Sequence, residues 1–139
     1  MKILVPVDGS EHTQRTLEFL AKQGFLSKGN ELTVLTVVLP FPHRAAAFAD
    51  PVQVQKYYDE DAQAILREVR DWLGKRDVSA TFVHEIGSPA SCIALRATAG
   101  GFDLIAMGSH GHGALGSLVP GSVAVKVLAT CKTPVLLIR

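Results

Sequence analysis

Apolar positions along this chain fall into two alternating signatures, short dense runs and longer stretches at helical spacing. Lys2 to Val7 is a run rich in Ile and Val, interrupted near its end by Pro6 and closed by Asp8-Gly9-Ser10, which predicts a central strand leading into a loop. Ser10 then predicts a helix N-cap, with Glu11 complementing the dipole and Leu17, Leu20 and Ala21 forming a stripe that Gly24 stops. Glu31 to Leu39 carries Leu32, Val34, Leu35, Val37 and Val38, a second strand ended by Pro40-Phe41-Pro42. The Ala-rich connector from His43 to Pro51 reads equally as a flap over a site or as a variable surface loop.

From about Val52, residues Val54, Tyr58, Ala62, Ile65, Leu66, Val69, Trp72 and Leu73 keep to one helical face, with Glu60, Asp61, Arg67, Glu68, Arg70 and Asp71 mostly on the other. At that spacing Trp72 and the Tyr57-Tyr58 pair read as core, in preference to a base-stacking platform. Val78 to Ile86 predicts a third strand, less apolar than the second and so nearer an edge. Ser88-Pro89 opens a helix with Ile93, Ala94 and Ala97 on its stripe, ending at Gly100-Gly101. Asp103 to Met107 is the fourth strand, and Thr133-Pro134 begins the fifth.

Strands and helices that alternate without a break predict an α/β fold: an open five-stranded parallel sheet with right-handed crossovers and helices on both faces. With 139 residues and no linker or repeat, the expectation is a single domain over 1–139 with a sizeable core. Lys and Arg number 14 against 13 Asp and Glu, which disfavours nucleic acid or an acidic membrane surface as partner. No apolar stretch approaches the roughly 20 residues of a spanning helix and no leader precedes the first strand, so a cytoplasmic protein is expected. Cys92 and Cys131 are isolated, without the spacing of a zinc site or a disulfide framework, and read as inert core thiols.

The chemistry concentrates after the fourth strand. Glycines at 108, 111, 113, 116 and 121 fill the segment before a helix that begins near Ser122. Glycine lets backbone N–H groups turn inward, and the first turn of a helix offers unpaired donors and partial positive charge, so the natural guest is a phosphate. Ser122 suits either a donor to that guest or a cap for its own helix. The spacing is neither a Walker A loop nor the dinucleotide fingerprint.

Gly108, two residues, Gly111, nine residues, then Gly121-Ser122 resembles the pattern of the nucleotide-binding branch of the universal stress protein family. Val5-Pro6-Val7-Asp8-Gly9-Ser10 and Thr133-Pro134-Val135-Leu136-Leu137-Ile138 resemble that family's opening and closing strands, so the similarity spans the chain. It implies strand order 3-2-1-4-5, which brings Asp8 and the Gly108 to Gly121 loop to one crevice beyond the strand ends. It also implies Pro6, Val7 and Asp8 around adenine and ribose, with Val38 beside the base. Met107 and Gly108 correspond to ribose and phosphate contacts, His110 and Gly111 to the start of the phosphate loop, and Gly121, Ser122 and Val123 to its far side. For Asp8 the plainer alternative is an Asx-type turn that prepares the first helix.

One departure matters: no Lys or Arg lies between Arg96 and Lys126, and His112 stands where many relatives carry a basic residue. A triphosphate would rest on amides, Ser109, Ser117 or Ser122, and a divalent cation such as Mg2+. Protonation of His110 or His112 beside phosphate would strengthen binding as pH falls through the range near 6.5.

The first expectation is therefore a regulatory protein in stress response that binds ATP, or ADP or AMP, and passes its state to a protein partner. It acts as a homodimer through 134–138, an apolar edge that the resemblance also pairs about a twofold axis. A slow ATPase, phosphotransferase or adenylate-forming enzyme on the same fold is the second reading, although there is no Walker lysine and no loop arginine. A dimeric interaction module with an empty pocket is the third.

Overall fold

The computed structural model describes residues 1–41, 50–110 and 120–139. The connector from Pro42 to Ala49 and most of the glycine segment, including Gly111, His112 and Ser117, lie outside the described residues. In chain order the elements are β1 (Lys2–Pro6), α1 (Glu11–Lys22), β2 (Glu31–Val38), α2 (Pro51–Gly74), β3 (Thr81–Ile86), α3 (Pro89–Ala99), β4 (Leu104–Gly108), α4 (Ser122–Thr130) and β5 (Val135–Ile138). Every neighbouring pair is parallel and the order is β3-β2-β1-β4-β5, as expected.

The dense apolar runs follow from burial on both sides of the sheet. Ile3 and Val5 of β1 pack with Leu17 and Leu20 of α1 and with Leu66, Val69 and Leu73 of α2. Leu4 points the other way, into a cluster with Ala90, Ile93 and Ala97 of α3 and Ala124 and Val127 of α4. Leu4, Leu35 and Ile105 are fully buried, and each such side chain stabilises the fold by about 1.5–3 kcal/mol. A strand covered on both faces has no polar parity to keep.

Thr36 is the exception in β2. It alternates with Val34 and Val38 toward the α1 and α2 side, is 1% exposed, and its hydroxyl has no hydrogen-bond partner among the described residues. Burying a hydroxyl unpaired costs about 1–3 kcal/mol. Thr36→Val keeps the shape and removes the orphan, so it should raise stability by about 1 kcal/mol. Urea denaturation reads this as a higher midpoint at unchanged slope, and a lower midpoint would refute it.

The helix starts differ in detail from the sequence expectation. Ser10 occupies the N-cap of α1, but its side chain makes no cap bond and its hydroxyl oxygen is buried without a partner among the described residues. Asp8 does the local work instead: its Oδ1 accepts from the Ser10 amide and from the Thr13 hydroxyl, each at 3.0 Å, while Thr13 Oγ1 accepts from the Asp8 amide at 3.0 Å. In α2 the Asp50 side chain accepts from the Val52 amide at 3.0 Å. Trp72 packs partly buried against the α1 and α2 core with the Arg76 guanidinium over its ring, and buried Tyr58 accepts from the Phe41 amide at 2.8 Å. Trp72 and Tyr58 agree with the core reading, but Tyr57 does not: it is 50% exposed, because its neighbour Tyr58 takes the inward-facing position of the helix.

Pro6 sets the geometry at the sheet's C-terminal edge. The pairing of β1 with β4 covers Ile3 with Leu104 and Leu4 with Ile105, then ends, whereas pairing with β2 runs on to Pro6 and Leu35. Val7 donates its N–H to Leu35 O of β2 at 2.8 Å. Alternate residues of a strand turn their N–H groups to opposite neighbours, so residue 6 would donate toward β4. Proline has nothing to donate, and the two strands part there.

Candidate functional site

Two groups of residues meet beyond the strand ends. The first gathers on the α1 side. His12, in the first turn of α1, lies against Gly108 so closely that a Cβ on the glycine would fall 2.8 Å from His12 Cβ. The rings of His12 and His110 are 5.5 Å apart between centroids, and Ser109 Oγ lies 2.8 Å from His110 Nδ1. His12 Nδ1 is buried with no hydrogen-bond partner among the described residues, beside the Asp8 turn. His12 was absent from the sequence expectation, since one histidine on an amphipathic helix gives no spacing signal.

The second group is a cavity of about 460 Å3 on the α3 and α4 side, lined by Leu39, Pro40, Gly87, Ser88, Pro89, Ala90, Ser122, Val123 and Lys126. That volume is in the range of small-molecule sites. It opens between the start of α3 and the start of α4, with the chain leaving β2 as its third wall. Gly121 is the N-cap of α4 and Ser122 the first helical residue, its side chain exposed, so Ser122 is not the cap. Ser88 makes no side-chain cap bond and Gly121 has no side chain to make one, so neither N-cap residue occupies the first-turn amides of α3 or α4.

One backbone hydrogen bond joins the groups: Gly121 donates its N–H to Ser109 O at 2.6 Å, while Ser109 donates its own to Ile138 O at 2.8 Å. The two described feet of the glycine segment therefore stand side by side.

Of the residues expected at the site, Ser122 and Val123 line the cavity. Pro6, Val7 and Asp8 sit at the end of β1 and Met107, Gly108 and His110 at the end of β4, around the place where those strands part. Met107 is buried among the residues packed with α3 and α4, and Val7 among those packed with α1 and α2. Val38 presents backbone to this edge, accepting from the Gly87 amide at 3.0 Å, while its side chain packs with Tyr58 and Ala62. Gly111 lies outside the described residues.

The Universal stress protein family model matches residues 1–139. This chain belongs to the universal stress protein family. A curated relative from Thermus aquaticus, named as a universal stress protein in the 3′ region of QAH/OAS sulfhydrylase, is 33% identical over 138 residues, covering 99% of this chain and 97% of its own. The solved structure of hypothetical protein MJ0577 superposes with a TM-score of 0.82 at 27% identity, over 99% of this chain and 94% of that one. Two more distant universal stress protein structures share the fold. One, in complex with cAMP, has a TM-score of 0.67 at 23% identity over 100% of this chain and 96% of that one. The other, from Arabidopsis thaliana with AMP bound, has a TM-score of 0.71 at 16% identity over 99% and 90%.

In this universal stress protein the Cys92 thiol lies behind the cavity wall, its sulfur 3.1 Å from where a Cβ on Gly87 would sit. Cys92 and Cys131 are both free and half-buried. Burial pushes the Cys92 thiol up, the Glu85 carboxylate adds to this, and Arg96, bonded to Glu85 at 2.9 Å, partly offsets it. A thiol held in its protonated form is a poor nucleophile. Among the described residues, no helix is long and apolar enough to cross a membrane, and no cluster of three or more His, Cys, Asp or Glu is placed to hold a metal.

Proposed function

We propose that this universal stress protein binds an adenine nucleotide at the C-terminal edge of its sheet, and signals the bound state as a homodimer to a protein partner in stress response. The observation that carries the reading is that β1 and β4 part at this edge while a cavity lined by Ser122 and Val123, though by no residue of β1 or β4, opens at the same edge, the Gly121 to Ser109 bond joining the two places. In open α/β sheets ligands bind at such a switch point, where neighbouring strands lead away in opposite directions. Two relatives that hold AMP and cAMP support the ligand class.

In this reading Asp8 faces the sugar, Gly108, Gly111 and Ser122 offer donors to phosphate, and Gly121, its amide held by Ser109 O, leaves room for the phosphate to approach, with Val123 beside them and Mg2+ carried in with a di- or triphosphate as counter-charge. The residues fit that demand. Hydroxyls of Ser88 and Ser122 and the ammonium of Lys126 are donors at the cavity wall, and Leu39, Pro40 and Val123 supply apolar surface for a base. The dimer pairs β5 edges, whose residues Val135 to Leu137 are half-buried in the single chain.

Thermal unfolding with AMP, ADP and ATP, beside sedimentation of the same sample, tests both parts. A nucleotide at a hundredfold excess over its dissociation constant should stabilise the protein by about 2.7 kcal/mol, less in Ser122→Ala, and the sedimenting mass should be twice that of the chain. No shift with any nucleotide refutes the binding reading, and a monomer refutes the dimer.

A further inference from the structure

The cavity wall carries one charge, and its position suggests what it reads. Among the nine residues that line the cavity, Lys126 alone is charged. It lies four residues after Ser122 in α4, hence on the same helix face and one turn deeper. Among the described residues it takes part in none of the ion pairs, which join Arg15 to Glu11, Lys56 to Glu60, His84 to Asp59 and Arg96 to Glu85. The glycine segment itself brings no Lys or Arg.

We infer that Lys126 makes this cavity selective for the longer, more highly charged phosphate chains, ATP over ADP over AMP. The inference rests on the nucleotide reading above and deepens it by naming the group that sets the rank. Amides and hydroxyls such as those at Ser88 and Ser122 bond a first phosphate about as well in a monophosphate as in a triphosphate. Their contribution is nearly common to the series. An ammonium on a flexible four-carbon stem, one turn further along α4, adds a charge-assisted bond only to a chain long enough to meet it. Because Lys126 is exposed and opens to solvent, that extra attraction is screened by salt.

The test is isothermal titration of AMP, ADP and ATP, without added divalent cation and at two salt concentrations, into wild type, Lys126→Ala and Lys126→Arg. Wild type should bind ATP about tenfold more tightly than AMP at low salt, and the ratio should shrink as salt rises. Lys126→Ala should lose most of that ratio by weakening ATP about tenfold while leaving AMP within about twofold, and Lys126→Arg should keep the order. Equal loss for all three ligands, or a preference that survives in Lys126→Ala, would overturn the inference while leaving the nucleotide reading intact. Wild type that binds none of the three would overturn both. Unfolding temperatures of the variants, expected to match wild type because the side chain is exposed, separate a binding defect from a folding one.

Discussion

Gly108→Ala is expected to destabilise the free protein by about 1–3 kcal/mol, a larger effect than one added methyl usually has. The added carbon would sit 2.8 Å from His12 Cβ, closer than such atoms approach in proteins, and 3.1 Å from His110 O, a tight contact. Neither neighbour is the loose tip of a long side chain. One is the root of a residue in the first turn of α1, and the other is backbone in the segment that follows β4. Relief requires moving α1 away from β4 or bending the chain after Ser109, which is itself tied to Ile138 in β5. Gly74→Ala is the control, since a methyl there meets nothing within 4 Å. Differential scanning calorimetry should show Gly108→Ala melting lower by roughly 4 °C per kcal/mol while Gly74→Ala stays near wild type. An unchanged melting temperature in Gly108→Ala would mean that α1 does not press on β4 as described.

Gly121→Val should do the opposite: leave the fold nearly intact and abolish nucleotide-dependent stabilisation. The backbone there has φ −64° and ψ 165°, a conformation open to any residue, so glycine is not required by the turn. Its amide is already committed to Ser109 O, and valine keeps that amide. What valine adds is bulk at the entry to α4, beside the Ser122 and Val123 wall of the cavity, where the proposed site has a phosphate approach backbone closely. The expected reading is loss of the whole ~2.7 kcal/mol response at a hundredfold ligand excess, with a drop of about 1 kcal/mol or less for the free protein, because valine is a poorer N-cap than glycine. Undiminished nucleotide binding in Gly121→Val would remove this wall from the site. The pair separates a glycine held by packing from a glycine held open for a ligand.

The fold was legible because its strands announce themselves. Leu4, Leu35 and Ile105 belong to runs that only a sheet covered on both faces can bury, and Gly or Pro punctuates their ends. The same density hides parity. Val37 and Val38 are both apolar, so no alternation says which faces α2, and the structure turns the Val38 side chain to Tyr58 while its carbonyl receives Gly87. Pro6 was visible as an interruption of the first run, but its consequence needs the hydrogen-bond partner of Val7, because only that tells which neighbouring strand loses a donor. Lys126 shows a different blind spot. Counting charge along the glycine segment treats it as the boundary of a neutral stretch, whereas counting by helical turns from Ser122 places it on the same face. Asp8 holds the turn before α1 by bonds that no pattern of spacing distinguishes from a ligand contact.

The bond from Gly121 to Ser109 carries a consequence for how such proteins diversify. A segment whose two anchors are joined to each other is a cassette: its interior can be exchanged for a relative's without the sheet registering a change in tension. Lengthening it raises the closure entropy by only about 0.6 kcal/mol for each doubling. A change of length there is expected to leave the order of the five strands untouched.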